Sequence, residues 1–145
     1  WRSLIKQAKG AHIGVKVYGD EDIWYKNEEF AKATVDDMQW CLMPKNMLPN
    51  STSKNYAEQE NNPQYGLNNY PDYFTPSALQ EMSKQFLHYL HTGEMLNSKY
   101  AWCSDTTSDG RRVGVGDFDS GGLIVDGDPP GRSNGGLGRA VARKF

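Results

Sequence analysis

Residues 75–93 have the sequence TPSALQEMSKQFLHYLHTG, and they predict the best-defined element of the chain. Thr75 is a suitable N-cap, and Pro76 suits the first helical position because its fixed φ is already helical. An apolar stripe then recurs at helical spacing until Gly93 supplies a stop. These signals predict a helix over about 76–91. Its apolar stripe consists of Leu79, Met82, Phe86, Leu87 and Leu90.

Strand patterns follow this helix. Ten of the fifteen glycines fall between positions 110 and 138, where glycine is typical of tight hairpins and bulges. Helices followed by a run of strands indicate an α+β domain, which we expect to hold two helices packed on an antiparallel sheet. The expected strands are 100–103, 111–118, 123–125 and 139–145.

The first part of the chain is expected to supply the other long helix. Asn27 is a suitable N-cap, apolar residues recur at helical spacing after it, and Pro44 ends the pattern, so we predict a helix over about 28–42. A short helix is expected over 1–11, and alternating apolar residues predict a strand over 12–18.

The composition excludes several classes of protein. The chain has 145 residues, a net charge of −2, 37% apolar and 12% aromatic residues. Its size fits a single domain over 1–145, and its aromatic content indicates a folded chain. A near-neutral charge gives no general attraction to nucleic acid, so we expect no nucleic-acid partner. No apolar run reaches the roughly 20 residues of a membrane helix, so we expect no membrane span within the chain.

Two polar loops are the candidates for binding. The long loop over 45–74 holds seven asparagines and several tyrosines, and the loop over 127–138 is rich in glycine. Tyrosine with asparagine and glycine is typical of antibody binding surfaces. The alternative is that the tyrosines only attach the long loop to the domain. The candidate ligand-binding residues are Tyr56, Tyr65, Tyr70, Arg132 and Asn134.

Aspartates crowd the turns of the last third. We expect ordinary turn chemistry and no cofactor there, with a calcium site as the alternative. Hard cations take their oxygen ligands from such loops. The spacing is not that of an EF-hand, and aspartate is an ordinary turn residue, so we favour turn chemistry over a calcium site. The candidate ligands are Asp117, Asp119, Asp126 and Asp128, with Asp105 and Asp109 nearby.

The two cysteines, Cys41 and Cys103, leave two interpretations open. A disulfide between them would close a long loop and stabilise the fold by about 2–4 kcal/mol, and we favour it. The alternative is two free thiols that pack as small apolar residues. No Cys-x-x-Cys or Cys/His spacing indicates zinc.

The chain also lacks the motifs of common enzymes, so we expect no catalytic residues. The sequence GRSNG at 131–135 comes nearest to a nucleophile elbow, but no strand precedes it and no helix follows it in the predicted order. His88 and His91 are three positions apart on the predicted helix. We expect them at the margin of its apolar stripe rather than on a metal.

The second half of the chain contains YFTPSALQEM at 73–82, YAWCSD at 100–105 and NGGLGRAVAR at 134–143. These three segments resemble bacterial and phage C-type-lectin-like domains. The resemblance covers residues 73–145, and the same ending occurs in formylglycine-generating-enzyme-like domains. The calcium-dependent sugar motifs of animal lectins and the catalytic cysteine pair of the formylglycine-generating enzymes are absent, so the resemblance implies a scaffold for binding. The first segment is similar to the family's helix start, the second to its aromatic-Trp-Ser-Ser strand, and the third to its terminal GxRxVR strand.

We therefore expect a non-catalytic, extracellular binding or adhesion module on a cell surface or virion, with a cell-surface glycan or protein as its partner. The alternative is a structural fibre subunit, such as a pilin-like head or a phage tail or capsid component, which would bind further copies of itself. A third hypothesis is a small hydrolase that uses His88 or His91. The chain begins at Trp1 rather than Met, which we interpret as a processed chain or a fragment.

Overall fold

The structure is a computed structural model that describes residues 24–34, 40–96 and 98–144. The helix predicted over 1–11 and the strand predicted over 12–18 lie outside the described residues. Among the described residues, no helix is long and apolar enough to span a membrane. The helices are α1 (Glu29–Lys32), α2 (Tyr56–Glu60) and α3 (Ala78–Thr92), and a 3-10 turn spans Leu67–Asn69. The strands are β1 (Cys41–Leu42), β2 (Tyr73–Phe74), β3 (Tyr100–Thr106), β4 (Arg112–Asp119), β5 (Gly122–Asp128), β6 (Leu137–Arg139) and β7 (Ala142–Lys144).

The strands form two sheets. The larger sheet has four strands in the order β5-β4-β3-β6, with β3, β4 and β5 antiparallel and β6 parallel to β3. The smaller sheet has three strands in the order β1-β7-β2, and β7 is antiparallel to both neighbours. The predicted α+β class is confirmed. The described residues contain two sheets and one long helix, rather than two long helices packed on a single antiparallel sheet.

The long helix α3 is fixed at both ends by side chains and backbone. Ser77 is its N-cap, and Ser77 and Gln80 form a capping box in which each side chain accepts a hydrogen bond from the other's backbone N–H. Asp105 of β3 also accepts a hydrogen bond, 2.6 Å long, from the N–H of Ala78. Gly93 ends the helix in the left-handed conformation with φ 76°. The predicted helix is therefore confirmed.

Three details of that prediction are wrong. Pro76 precedes the Ser77 cap rather than occupying the first helical position, which belongs to Ala78. Thr75 is not the cap, because its hydroxyl accepts a hydrogen bond from Arg139 and donates one to Glu60 instead. Leu87, expected in the apolar stripe, is 57% exposed. The stripe is narrower than the sequence pattern indicates, because α3 packs on the sheet through Met82 and Phe86.

The helix predicted over 28–42 is also corrected. It ends at Lys32 in α1, residues 35–39 lie outside the described part, and Cys41–Leu42 is strand β1. Both residues of β1 pair with β7, Cys41 with Lys144 and Leu42 with Arg143. Pairing with a distant strand overrides the helical spacing, as tertiary context commonly does.

The apolar core lies between α3 and one face of the larger sheet. Phe86 of α3 packs edge-on against Phe118 of β4, with ring centroids 5.9 Å apart. A register shift lies between Gly116 and Asp119, where Asp117 adopts a φ of 47°. This bulge turns Phe118 rather than Asp117 into the core. The core also contains Tyr25, Phe30, Ala78, Met82, Cys103, Val113, Val115, Leu123 and Val125.

The closing segment and the long polar loop both differ from their predictions. The strand expected over 139–145 is split, because Leu137–Arg139 joins the larger sheet and Ala142–Lys144 joins the smaller one. The loop over 45–74 contains α2, the 3-10 turn and β2 rather than irregular chain alone. Asn55 and Glu58 form a capping box that starts α2, a local signal that the sequence carried.

Candidate ligand-binding groove

A row of exposed side chains lies on the outer face of the smaller sheet. In its register, Arg143 of β7 pairs with Leu42 on one side and with Tyr73 on the other. Side chains of directly paired residues lie on the same face of a sheet. Leu42 is 56% exposed and Tyr73 is 37% exposed. The outer face of this sheet is therefore partly apolar and open.

The turn before β2 brings a second tyrosine beside this row. The backbone N–H of Tyr73 donates to the carbonyl of Tyr70, which fixes the turn through Pro71. The two tyrosine rings are nearly perpendicular, with centroids 6.1 Å apart and an interplanar angle of 76°. The Tyr70 hydroxyl donates to the carbonyl of Gln64 at 3.3 Å, and the residue is 42% exposed. The pair forms an open aromatic corner.

A cavity of about 180 Å³ opens at this corner, and we call it the tyrosine groove. Its lining is mainly apolar, and Gln64 is the amide residue among its lining residues. Tyr65 is only 8% exposed and donates its hydroxyl to the carbonyl of Asn50 at 3.2 Å, so it anchors the loop. Apolar walls with few polar groups are typical of ligand sites. The lining residues are Leu48, Gln64, Tyr65, Leu67, Tyr70, Tyr73 and Val141.

Gly66 holds the loop close to α2. A Cβ atom at this position would lie 2.3 Å from the carbonyl oxygen of Glu60 and 2.5 Å from that of Asn62. Only glycine permits this approach, and the N–H of Gly66 uses it to donate to Asn62 at 2.7 Å. The groove therefore has a fixed wall rather than a free loop.

A buried ionic group connects the groove's loop to the larger sheet. The guanidinium of Arg139 is fully buried, and its Nη2 donates to Glu60 at 2.6 Å and to Thr75 at 3.1 Å. Tyr56 lies beside this group with the Cζ of Arg112 4.0 Å above its ring and Trp102 packed edge-on at 6.0 Å. Burial raises the pKa of Tyr56. We interpret Tyr56 as part of the support for the groove.

The glycine-rich loop lies against the long loop without lining the groove. Ser53 and Tyr56 donate backbone hydrogen bonds to the carbonyls of Asn134 and Pro130. The Arg132 side chain is paired with Asp128, and the Asn134 side chain accepts a hydrogen bond from Gly136. Of the five predicted binding residues, the structure brings Tyr65 and Tyr70 together. The other three do not line the groove; they are Tyr56, Arg132 and Asn134.

The aspartates of the last third make local contacts. Asp119 accepts a hydrogen bond from the N–H of Gly121 at 2.6 Å, and Asp126 accepts one from Gly127 at 2.8 Å. Burial, together with the charges of Asp117, Asp126 and Asp128, raises the pKa of Tyr100 to about 12. In the described ranges, no three or more His, Cys, Asp or Glu residues are grouped so that they could hold a metal ion. The calcium site therefore remains a prediction.

The two cysteines are free thiols in the structure, so the predicted disulfide is not formed in it. Cys103 is fully buried in the core, and its Sγ donates to the carbonyl of Ala101. Burial raises the pKa of the Cys103 thiol well above its ordinary value. A thiol held neutral in this way is a poor nucleophile. His88 lies 3.1 Å from Glu94 at the end of α3, and neither His88 nor His91 lines the tyrosine groove.

Sequence reasoning missed Tyr73, Val141 and Arg143 as neighbours of the groove. Tyr73 lies only three positions after Tyr70, at the end of the same loop. This short spacing could have identified it as a second tyrosine of the groove. Val141 and Arg143 come from the far end of the chain, and only the pairing of β2 with β7 brings them here. No protein-family model, curated protein or solved structure matches the chain.

Proposed function

We propose that this protein is a non-catalytic binding module that takes a saccharide in the tyrosine groove. The observation that carries the proposal is the open corner formed by Tyr70 and Tyr73 over a cavity of about 180 Å³. Sugar rings have apolar C–H faces and hydroxyl edges. An aromatic face with hydroxyl and amide groups at its rim offers a complementary surface.

The size of the cavity supports a saccharide over a larger enclosed ligand. Sites that enclose drug-sized molecules have volumes of about 300–1,000 Å³, whereas the tyrosine groove has about 180 Å³. A shallow site of this size suits one ring of a longer chain, with the neighbouring rings lying over the outer face of the smaller sheet. The fixed loop around Gly66 lowers the entropy cost of binding, because the site is already formed.

We further propose a C-type-lectin-like fold and an extracellular location on a cell surface or virion. The support for the fold is the sequence resemblance over 73–145, whose three segments correspond to α3, to β3 and to the β6–β7 pair. A binding scaffold of this type is consistent with function in loops that a rigid core positions. A cell-surface protein is the alternative ligand.

A structural fibre subunit is the second candidate, and one observation favours it. Within the described ranges β1 is an edge strand of the smaller sheet; Trp40 next to it is 83% exposed, and Leu42 within it is 56% exposed. Exposed apolar edges are sites where further chains can pair. Light scattering over a range of protein concentrations separates the candidates, because a fibre subunit would grow in mass with concentration and a monomeric binding module would not.

A saccharide array followed by titration calorimetry tests the proposed function. We expect the wild-type protein to bind at least one oligosaccharide, and we expect Tyr70→Ala and Tyr73→Ala to weaken that binding by roughly tenfold or more each. Leu87→Ala is the matched control, since Leu87 is also exposed but lies on α3 outside the groove. An array without any bound saccharide, or tyrosine variants that bind as tightly as wild type, would overturn the proposal.

A further inference from the structure

We infer that the saccharide bound in the tyrosine groove is acidic and that Arg143 binds its carboxylate. The inference rests on the proposed function and adds the chemical class of the ligand. Arg143 pairs directly with Tyr73 across the smaller sheet, so its side chain shares the outer face with the aromatic corner. A cationic group therefore lies beside a mainly apolar site.

The position of the Arg143 side chain is set by its surroundings. β7 is the central strand of the smaller sheet, so the backbone of Arg143 is held on both sides. The guanidinium carbon lies 5.6 Å from the centroid of the Tyr73 ring, which is within the range of a cation–π contact. The ring restricts the side chain, which lowers the entropy that a ligand contact must overcome.

The Arg143 guanidinium keeps donors for a ligand. Its ionic neighbour Asp72 is 3.8 Å away, which is beyond hydrogen-bonding distance. The two side chains are 47% and 70% exposed, so their attraction is weak and screened by water. A planar guanidinium offers paired N–H donors that match the two oxygens of a carboxylate. A ligand carboxylate can therefore form contacts that Asp72 does not.

The next cation along β7 lies on the opposite face from Arg143. Lys144 follows Arg143 directly, and successive side chains of a strand point to opposite faces. Its Nζ lies 5.5 Å from the ring of Phe74, away from the aromatic corner. On the outer face the row continues from Arg143 to the apolar Leu42. With Tyr73 paired to Arg143 on one side and Leu42 on the other, this face suits an oligosaccharide in which a carboxylated ring follows a ring stacked on tyrosine.

The test compares short oligomers of galacturonic acid with the same oligomers after their carboxyl groups are reduced. We expect wild-type protein to bind the acidic oligomers roughly tenfold or more tightly than the reduced ones. Arg143→Gln should lower the affinity for the acidic oligomers to that for the reduced ones, and Arg143→Lys should recover only part of the difference. Arg111→Gln is the control, because Arg111 is similarly exposed and lies outside the groove. Far-ultraviolet circular dichroism verifies that each variant is folded.

The possible outcomes separate this inference from the function on which it rests. Equal binding of both oligomers that is lost in Tyr70→Ala would overturn the acidic ligand and leave the saccharide site intact. Tighter binding of the acidic oligomers that Arg143→Gln does not change would also overturn it. Binding of neither oligomer, together with an array that holds no saccharide, would overturn the proposed function itself.

Discussion

The two sheets of the molecule use their faces differently. In the larger sheet, α3 covers one face with Met82 and Phe86, and the aromatic and ionic groups around Trp102 and Arg139 occupy the other, so these residues are almost fully buried. In the smaller sheet, Leu42 and Tyr73 remain exposed on the outer face. The difference indicates a division between a stabilising sheet and a binding sheet.

A substitution in the core of the larger sheet should have the largest effect on stability. Phe86→Ala removes a fully packed ring from the contact with Phe118, and we expect the free energy of unfolding to fall by about 3–5 kcal/mol. Chemical denaturation measured by tryptophan fluorescence checks this value. If Phe86→Ala lowered the free energy of unfolding no more than Tyr70→Ala does, the larger sheet would not be the stabilising one.

The ion pair that links the long loop to the larger sheet should rank second. Glu60→Ala leaves the buried guanidinium of Arg139 without its carboxylate, and we expect a loss of about 3 kcal/mol, because an uncompensated buried charge is costly. Glu60→Gln retains a hydrogen-bond acceptor and should lose less. Denaturant titration of both variants measures the order, and a Gln variant less stable than the Ala variant would contradict the ionic role of Glu60.

A half-exposed tyrosine beside the binding sheet should affect binding more than stability. Tyr70→Ala should lower the free energy of unfolding by about 1 kcal/mol, well below the cost of Phe86→Ala, since Tyr70 is 42% exposed. We expect the same variant to lose about 2 kcal/mol of saccharide binding free energy, as central aromatic contacts commonly do. Thermal melting and calorimetry on one preparation measure both quantities. If the variant lost stability and binding by similar amounts, the proposed separation of roles between the two sheets would be contradicted.

Near neutral pH the smallest effect on stability is expected from Tyr100, because its contribution changes only in alkaline solution. Burial and nearby aspartates raise the pKa of Tyr100 from 10.0 to about 12 in the folded protein. The folded state therefore holds this proton more tightly than the unfolded state, and the associated stability is complete below pH 10 and is lost as pH rises towards 12. Tyr100→Phe should make the melting temperature fall less steeply over that range. An equally steep fall in the Phe variant would show that other groups cause it.

Local signals predicted the parts of the fold that depend on neighbouring residues. The helix over 76–91 was predicted from its caps and stripe, and the strands of the larger sheet from their alternation and glycine turns. The prediction of a helix over 28–42 was wrong because β1 forms only by pairing with a strand about a hundred positions away. The split of the closing strand into β6 and β7 depends on the same long-range pairing.

The candidate site was predicted in part for the same reason. Composition indicated the long loop, and Tyr65 and Tyr70 do line the groove. Tyr56 has the same residue type, but a cation and an indole from the larger sheet enclose it. Arg143 is invisible as a site residue from sequence alone, because its contact with Tyr73 arises from strand register. Tyrosine content therefore identifies a region, and tertiary packing decides which tyrosines face a ligand.

Nuclear magnetic resonance of the aromatic side chains tests the central claim most directly. With the best saccharide from the array added in steps, the ring signals of Tyr70 and Tyr73 should move progressively, while that of Phe86 in the core should stay fixed. Changes confined to the glycine-rich loop around Arg132 and Asn134, with the ring signals of Tyr70 and Tyr73 unmoved, would contradict a binding site on the smaller sheet.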